Sequence, residues 1–407
     1  MLTSRGSGLL GGGVALWIAS QTFGAPELQV AAVAALVLLG LALLSVWTTS
    51  TQLRIDRLVE PTKLPFGTEG RVRLAVTNAG LRRTARLRLD EQAPPVLASP
   101  PQQTLPPLHG GERVELEYRI RGEQRGVATL GPMVVGFSDP FGLVSRSQTL
   151  PGTATVTVRP RIVPLQRGLP LGGFSGGTGE GRPRPRPGGE DVAEVRDYVR
   201  GDPLRAIHWP STAHRGKLMV RHEESPQDPR ATVVLDLRAT RHRGSGPTSS
   251  LETAVSAAAS VITHLAARGQ AVALVDGVVP APAPARSAEE WLDHLAEVEA
   301  TGGSLRRNLA PLTTSGAVGS ALIAVVATPD GPDLQALVRS GRSATTRVAL
   351  VIDPASHTGD RRRDPTSEGV AARLRSAGWR VTIVAGGDDL AVRWNEILHV
   401  RRAAVGV

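Results

Sequence analysis

The sequence predicts two transmembrane helices, then an antiparallel β-sandwich domain of immunoglobulin-like type, then a doubly wound α/β domain. Three observations predict this fold class. Residues 1–50 are apolar and nearly uncharged, residues 58–162 alternate apolar with polar side chains, and the segment after residue 230 alternates apolar runs with helical patterns. Of the 407 residues, 41% are hydrophobic, so the chain can bury more than one core.

The apolar N-terminal segment predicts a membrane hairpin. The stretch from Val30 to Trp47 is long enough to cross about 30 Å of hydrocarbon, whereas the stretch from Gly8 to Phe23 is somewhat short. No Lys or Arg lies between them at Gly24–Gln29, while Arg54 and further basic residues follow the second stretch. The positive-inside rule then places both termini, and everything after residue 50, in the cytoplasm. A signal peptide or a buried soluble hairpin is the alternative, although no clean cleavage site follows.

Short runs of period-two alternation predict the β-sandwich over residues 51–165. Such alternation puts one face of each strand in a core and the other in water, and a barrel remains the alternative. The proline-rich segment Pro101–Pro107 is predicted to be a loop. The clearest alternating runs are Arg71–Asn78, Ala85–Glu91, Arg113–Ile120 and Thr153–Pro160.

A Gly-, Pro- and Arg-rich stretch, residues 166–189, predicts a linker before the last domain at 190–407. Its glycines are not followed by Gly-Lys-Ser/Thr, so the stretch does not indicate nucleotide binding. Beyond residue 230, continuous apolar runs predict parallel strands that helices cover on both faces. These runs are Ala231–Asp236, Ala271–Val275, Ala321–Thr328, Arg347–Asp353 and Arg380–Val384.

Helical periodicity between these runs predicts the covering helices. The clearest helix is Leu251–Arg268, with Ser249 and Glu252 as a candidate capping box and Gly269 as a candidate stop. Three further helices are predicted at Ala288–Ala300, Asp333–Ser340 and Glu368–Ala377.

The charge distribution narrows the expected partners. The formal net charge is +10, and residues 51–189 hold 20 Lys and Arg against 11 Asp and Glu, whereas residues 190–407 hold 26 against 25. The basic excess therefore lies next to the predicted membrane, where anionic lipid attracts it. Because aromatic residues make up only 3%, a nucleic-acid stacking platform is not expected. The chain has no cysteine, which excludes disulfides, thiolate metal sites and cysteine nucleophiles.

The end of the first strand of the predicted α/β domain, at Asp236, can be compared with a known metal site. In a von Willebrand factor A domain the first strand ends in Asp-x-Ser-x-Ser, whose oxygens hold Mg²⁺. Here the corresponding residues are Asp236, Arg238 and Thr240. Because a guanidinium and a cation cannot share one site, we expect a degenerate site without metal, in which Arg238 pairs with Asp236.

The densest cluster of polar and aromatic residues is Gly188–Glu224. Six basic and six acidic residues are balanced between Asp191 and Glu224, which indicates internal pairing rather than phosphate binding. A hydrolase triad of Asp202, His208 and Ser211 can be drawn, but no Gly-x-Ser-x-Gly turn supports it. The histidines at 208, 214 and 222 do not have zinc-ligand spacing. Two interpretations of this cluster remain: a structural module that packs on the sheet, or a surface that docks another protein.

This cluster resembles the signature of the bacterial "domain of unknown function 58" family. An upstream Asp139–Leu143 segment is similar to the family's Asp-Pro-Phe-Gly-Leu turn, and the order of parts is also similar. Val192, Pro210 and His214 depart from the family pattern. The positions that match and that we single out as signature or docking residues are Asp191, Arg196, Tyr198, Gly201, Asp202, Arg205, His208 and Trp209.

The resemblance implies a membrane protein that works with a MoxR-type AAA+ ATPase in assembling or activating other proteins. No enzymatic activity is established for that family. We therefore expect a membrane-anchored, non-enzymatic adaptor whose partners are the lipid bilayer and such an ATPase, with no cofactor, nucleic acid or small-molecule substrate. A hydrolase acting on an envelope precursor and a metal-dependent protein-binding module are the alternatives.

Overall fold

The computed structural model describes residues 2–49, 52–166, 195–197, 207, 209–221, 230–279, 286–315, 318–358 and 364–399. These residues form an N-terminal helical hairpin, a β-rich region and a C-terminal α/β region with a parallel sheet. Much of the 190–229 signature segment lies outside the described residues.

Helices α1 (Ser4–Phe23) and α2 (Pro26–Thr48) pack antiparallel as the hairpin. The turn between them uses Gly24 at a φ of 63°, and Pro26 opens α2 with a φ suited to a first helical turn. Of the described helices, only α2 is long and apolar enough to cross a membrane. A second span through α1 therefore stays a prediction.

The β-rich region is built mainly from two antiparallel sheets with strand orders β1-β3-β6 and β5-β4-β8-β9. Inward-facing side chains of both sheets, among them Leu74, Leu87 and Phe137, join one buried cluster, so the sheets share a core. The strands are β1 (Leu53–Glu60), β3 (Glu69–Asn78), β4 (Arg86–Glu91), β5 (Gln103–Leu105), β6 (Arg113–Arg121), β8 (Met133–Ser138) and β9 (Ser145–Leu150).

Two details of this region differ from the sequence prediction. Pro101–Pro107 was predicted to be a loop, but β5 lies within it and pairs with β4, because Leu105 is apolar and reaches the shared core. A third sheet, of order β2-β10-β7, contains the parallel pair β2–β10, so the region is not wholly antiparallel. Its strands are β2 (Lys63–Leu64), β7 (Gly126–Leu130) and β10 (Ala154–Val158).

The α/β region holds a five-stranded parallel sheet of order β14-β13-β15-β16-β17. All five predicted apolar runs are strands, and almost every residue in them is buried because helices cover both faces. Strand order reverses between β13 and β15, which makes that position the switch point where such sheets usually bind ligands. The strands are β13 (Arg230–Leu235), β14 (Ala271–Val275), β15 (Ala321–Ala327), β16 (Thr346–Ile352) and β17 (Arg380–Val384).

Two hydrophobic clusters assign the helices to the two faces of this sheet. Ser249 caps α4 by accepting a bond from the backbone N–H of Glu252, as predicted, although the Glu252 side chain turns elsewhere. One face is covered by α4 (Ser250–Ala266), α5 (Ala288–Glu297) and α9 (Leu390–His399), and the other by α6 (Leu305–Ser315), α7 (Gly331–Ser340) and α8 (Pro365–Ser376).

Arg125 links the β-rich and α/β regions. Its guanidinium donates to the carboxylate of Glu252 at 3.0 Å and to the backbone carbonyls of Leu295 and Val298 at 2.8–3.2 Å. These carbonyls lie at the C-terminal end of α5, where the helix dipole favours a cation. Lys63 and Arg159 add ion pairs to Asp293 on the same helix, so the two regions are joined by specific polar contacts.

Candidate functional site

Aspartates follow the carboxyl ends of four neighbouring strands of the parallel sheet. Asp236 follows β13, Asp276 follows β14, Asp330 lies three residues beyond β15, and Asp353 follows β16. Parallel strands bring their carboxyl ends to one edge of a sheet, so these carboxylates share the edge at which α/β sheets bind ligands. The candidate site is this edge, centred on the switch point beside Asp236.

Arg238 lies at the centre of the site and pairs with two buried carboxylates. Its Nε and Nη2 donate to the two carboxylate oxygens of Asp236 at 2.8 and 2.7 Å, a bidentate pair, and its Nη1 donates to Asp333. The Arg238 side chain is 8% exposed and that of Asp236 is 1% exposed. The predicted pairing of Arg238 with Asp236 is confirmed. Asp333, 95 residues further along the chain, was not anticipated.

The start of α7 brings Asp333 to this cluster. Asp330 caps α7 by accepting a bond from the backbone N–H of Asp333 at 3.0 Å, and Asp330 also pairs with Arg241 at 2.8 Å. The bond from that N–H holds the pKa of Asp330 below its ordinary value, with further help from the charges of Arg241 and Arg238. A sequence signal for this arrangement existed, since Asp330-Gly-Pro-Asp333 is a typical helix start.

The electrostatics of the cluster favour a permanently charged arginine. Burial by itself would lower the pKa of the Arg238 guanidinium, but the hydrogen bonds and negative charges of Asp236 and Asp333 outweigh it, and the pKa is raised. Both Asp236 oxygens are already occupied by this guanidinium, and Thr240 is exposed. The residues present therefore do not fit a divalent cation. In the described part of the chain, no group of three or more His, Asp or Glu side chains could hold a metal.

The buried side chain of His242 forms hydrogen bonds with the loop that follows β13 and with α4. His242 contacts the backbone carbonyl of Asp236 through Nε2 at 2.7 Å and the Ser250 hydroxyl through Nδ1 at 3.1 Å. A carbonyl can only accept, so Nε2 carries the proton and Nδ1 accepts from the hydroxyl. Burial lowers the pKa of His242, which favours this neutral form. The loop after β13 is thus held by side chains of its own and of α4.

The other aspartates of the edge are also bonded by protein groups. Asp276 accepts a bond from His294 on α5 at 2.6 Å and from two backbone N–H groups of its own loop. Asp353, fully buried, accepts bonds from the backbone N–H groups of Ala355 and Asp364. The edge is therefore closed by internal hydrogen bonds at each of these strands.

The structure describes two of the eight predicted signature residues, Arg196 and Trp209. Trp209 begins the short helix α3 (Trp209–Arg215) and is 65% exposed. Arg196 lies in strand β11 (Val195–Asp197), opposite Val220 in β12 (Met219–Arg221). The remaining members, which are Asp191, Tyr198, Gly201, Asp202, Arg205 and His208, lie outside the described residues. Of the three residues of the hydrolase alternative, Ser211 is described, whereas Asp202 and His208 lie outside the described residues.

Some solved structures show a local likeness to the chain. The alkylpurine DNA glycosylase AlkC of Pseudomonas fluorescens is 13% identical over 29% of this chain and 33% of that chain, with a TM-score of 0.21. Trypsin-activated α2-macroglobulin of Escherichia coli is 15% identical over 39% of this chain and 9% of that one, with a TM-score of 0.22. The CARDB domain of PF1109 from Pyrococcus furiosus is 14% identical over 27% of this chain and 91% of that chain, with a TM-score of 0.20. At such TM-scores these likenesses bear on neither fold nor function.

Sequence comparison gives a firmer result. No curated protein matches the chain. Residues 194–358, however, match the family described as "Protein of unknown function DUF58". The match begins within the signature segment, contains Trp209, and covers the sheet edge with Asp236, Arg238 and Asp333. Over residues 194–358 the chain is therefore similar to the DUF58 family.

Proposed function

We propose that this protein is a membrane-anchored, non-enzymatic adaptor whose α/β region docks a MoxR-type AAA+ ATPase in the assembly or activation of other proteins. The observation that carries the proposal is the closed switch point. Where an α/β sheet usually opens to a ligand, Arg238 occupies both oxygens of Asp236 and contacts Asp333, with its side chain only 8% exposed. An edge filled in this way suits a rigid docking fold better than small-molecule or metal chemistry.

An exposed aromatic residue offers a docking point. Trp209 is 65% exposed at the start of α3, while the neighbouring Met219 is buried and donates its backbone N–H to Thr212 in that helix at 3.0 Å. The local fold thus holds the helix in place and leaves the indole free for a partner. Tryptophan is enriched among the residues that dominate binding energy in protein interfaces.

The finer architecture belongs to the same proposal. We take both α1 and α2 as spans, with the β-rich and α/β regions cytoplasmic, because basic residues follow α2. The two facing sheets support an immunoglobulin-like sandwich, and the strand order with helices on both faces supports a doubly wound domain similar to von Willebrand factor A. In that comparison Arg238 takes the place of the cation.

A binding measurement tests the adaptor function. The full-length chain in mild detergent is titrated with a purified MoxR-type AAA+ ATPase from the same organism, held in its nucleotide-bound state. We expect saturable binding that Trp209→Ala weakens by about tenfold or more. Phe141→Ala is the matched control, because Phe141 is also an exposed aromatic, at 59%, but lies in the β-rich region. Absence of binding by the unaltered chain would remove the ATPase from the proposal.

A further inference from the structure

One end of the β-rich region packs directly against the helical hairpin. The turn Asp139–Leu143 between β8 and β9 meets the start of α1, where the backbone N–H of Thr3 donates to the Leu143 carbonyl at 3.0 Å. The Thr3 hydroxyl donates to the Gly142 carbonyl at 2.7 Å. Leu143 also packs with Val46 near the end of α2. This turn therefore lies at the end of the hairpin where α1 begins and α2 ends.

A second loop, residues 79–83 between β3 and β4, lies at the same end. The backbone N–H of Ala79 donates to the carbonyl of Gln52 at 2.7 Å. Gln52 is three residues beyond Thr49, the C-cap of α2, and three residues span at most about 11 Å. At the opposite end of β3, the preceding Phe66 lines a cavity together with Glu252 of the α/β region. Both loops thus lie where α2 would leave a membrane.

The two loops are fixed by buried polar side chains. The amide of Asn78, which is fully buried, donates to the carbonyls of Arg82 at 2.8 Å and His109 at 3.0 Å. In the other loop, the buried carboxylate of Asp139 accepts bonds from the backbone N–H groups of Phe141 at 2.8 Å and Val144 at 2.6 Å. These bonds set the backbone course of both loops, so their outward side chains are held in defined places.

Large apolar side chains point outward from these rigid loops. Leu81 is 101% exposed and Phe141 is 59% exposed, and Trp47 at the end of α2 is 81% exposed. A single exposed leucine needs no explanation, but three large apolar side chains around one hairpin end form a pattern. Tryptophan favours the interface between lipid and water, and Phe and Leu form the apolar face of segments that lie in it.

Most of the exposed charged side chains around Leu81 and Phe141 are arginines. Arg82 and Arg83 follow Leu81 directly and are exposed, and Arg86 and Arg146 are exposed in the strand ends next to the turn. The carboxylate of Glu112, an exposed acidic group at this end, accepts the backbone N–H of His109 at 2.7 Å. Exposed arginines beside exposed apolar groups match an anionic headgroup layer, which offers phosphates above hydrocarbon.

We infer that this end of the β-rich region is a lipid-binding surface, in which Leu81 and Phe141 enter the headgroup layer and Arg82 and Arg83 bind anionic lipid phosphates. The inference rests on the proposed membrane anchoring by α2. It adds a second contact with the same membrane, which would fix the tilt of the β-rich region and hence the height of the α/β region above the bilayer.

Site-directed spin labelling tests the inference, and the absence of cysteine in the chain allows single labels without background. Full-length variants Leu81→Cys and Phe141→Cys are reconstituted into vesicles of neutral phosphatidylcholine, with or without phosphatidylglycerol. Val392→Cys is the control, because Val392 is 54% exposed but lies in α9 of the α/β region. Collisions of each label with oxygen and with a water-soluble nickel complex measure its depth.

We expect labels at 81 and 141, but not at 392, to become accessible to oxygen and protected from nickel, more strongly in the phosphatidylglycerol vesicles. Adding Arg82→Glu and Arg83→Glu should reverse this protection at position 81. Labels at 81 and 141 that stay as accessible to nickel as position 392 would overturn the inference. Co-flotation of the chain with vesicles after an alkaline wash reports α2 separately, so a failed anchor and a failed lipid surface are distinguishable.

Discussion

Replacing Arg238 by alanine tests whether the sheet edge is held together by this one guanidinium. The substitution removes the bonds to both oxygens of Asp236 and the bond to Asp333. Two carboxylates then face each other in a place where the Asp236 side chain is 1% exposed and that of Asp333 is 10% exposed. Among the residues that the structure describes, neither carboxylate then keeps a cationic partner, and little water reaches them.

The expected cost follows from the burial of the pair. Removing one member of a buried ion pair costs about 3–5 kcal/mol, because the remaining charge is left without compensation. Arg241→Ala is the matched control, since Arg241 pairs with Asp330 at the same edge but the two side chains are 31% and 48% exposed. Solvent screens that pair, so its loss should cost about 1 kcal/mol or less.

Urea unfolding of the full-length chain in detergent, followed by the fluorescence of the buried Trp291, Trp379 and Trp394 of the α/β region, measures both variants. Adding Asp333→Asn to Arg238→Ala should recover part of the loss, since it removes one of the unpaired charges. An Arg238→Ala variant no less stable than Arg241→Ala would refute the reasoning, because the cluster would then contribute nothing that a surface pair does not.

Four further substitutions test other contacts, three by the same unfolding measurement and Asp139→Ala by hydrogen exchange in its turn. Arg125→Ala should cost about 2–4 kcal/mol by leaving buried carbonyls and a carboxylate unpaired. Glu252→Gln should cost less, about 1 kcal/mol, because the glutamine amide oxygen can still accept a bond from Arg125, which keeps its bonds to the two carbonyls. Burial alone would raise the pKa of Asp276, but hydrogen bonds from His294 and the backbone hold it below its ordinary value. The stability that Asp276 contributes is therefore present above its ordinary pKa of about 4 and lost as the pH falls through the lowered native pKa, so the advantage over Asp276→Asn should shrink as the pH is lowered below about 4. Asp139→Ala should lower the stability of its turn by about 1–3 kcal/mol, because two backbone N–H groups lose their acceptor. Amide hydrogen exchange in that turn no faster than in the unaltered chain would contradict this.

Local periodicity was sufficient to predict most of the fold. Every predicted apolar run of the α/β region is a strand, and the helix predicted at Leu251–Arg268 is α4, because fully covered parallel strands and amphipathic helices leave direct patterns in sequence. Pattern reasoning missed α6, which contains Pro311, and α9. It also missed β5, since a three-residue strand between prolines owes its pairing to β4 rather than to its own composition.

The site was predictable only where its members are close in sequence. Asp236 and Arg238 are two residues apart at a strand end, so their pairing could be inferred from chemistry alone. Asp333 joins them through the start of α7, and Arg125 reaches α5 from a different region, with 127 residues separating it from Glu252. Contacts of that separation depend on the packing of whole elements, which a single sequence does not reveal.

The arginine at the switch point also limits how a partner can bind there. A Mg²⁺ ion bound by one or two carboxylates keeps several coordination positions for water or other oxygen ligands. Arg238 instead directs three of its N–H groups to two carboxylates of its own chain, and its side chain is 8% exposed. A partner that approaches Arg238 would meet carboxylates that are already paired, so the proposed docking would use exposed groups outside this cluster. Trp209, at 65% exposure, is such a group within the family-matched segment.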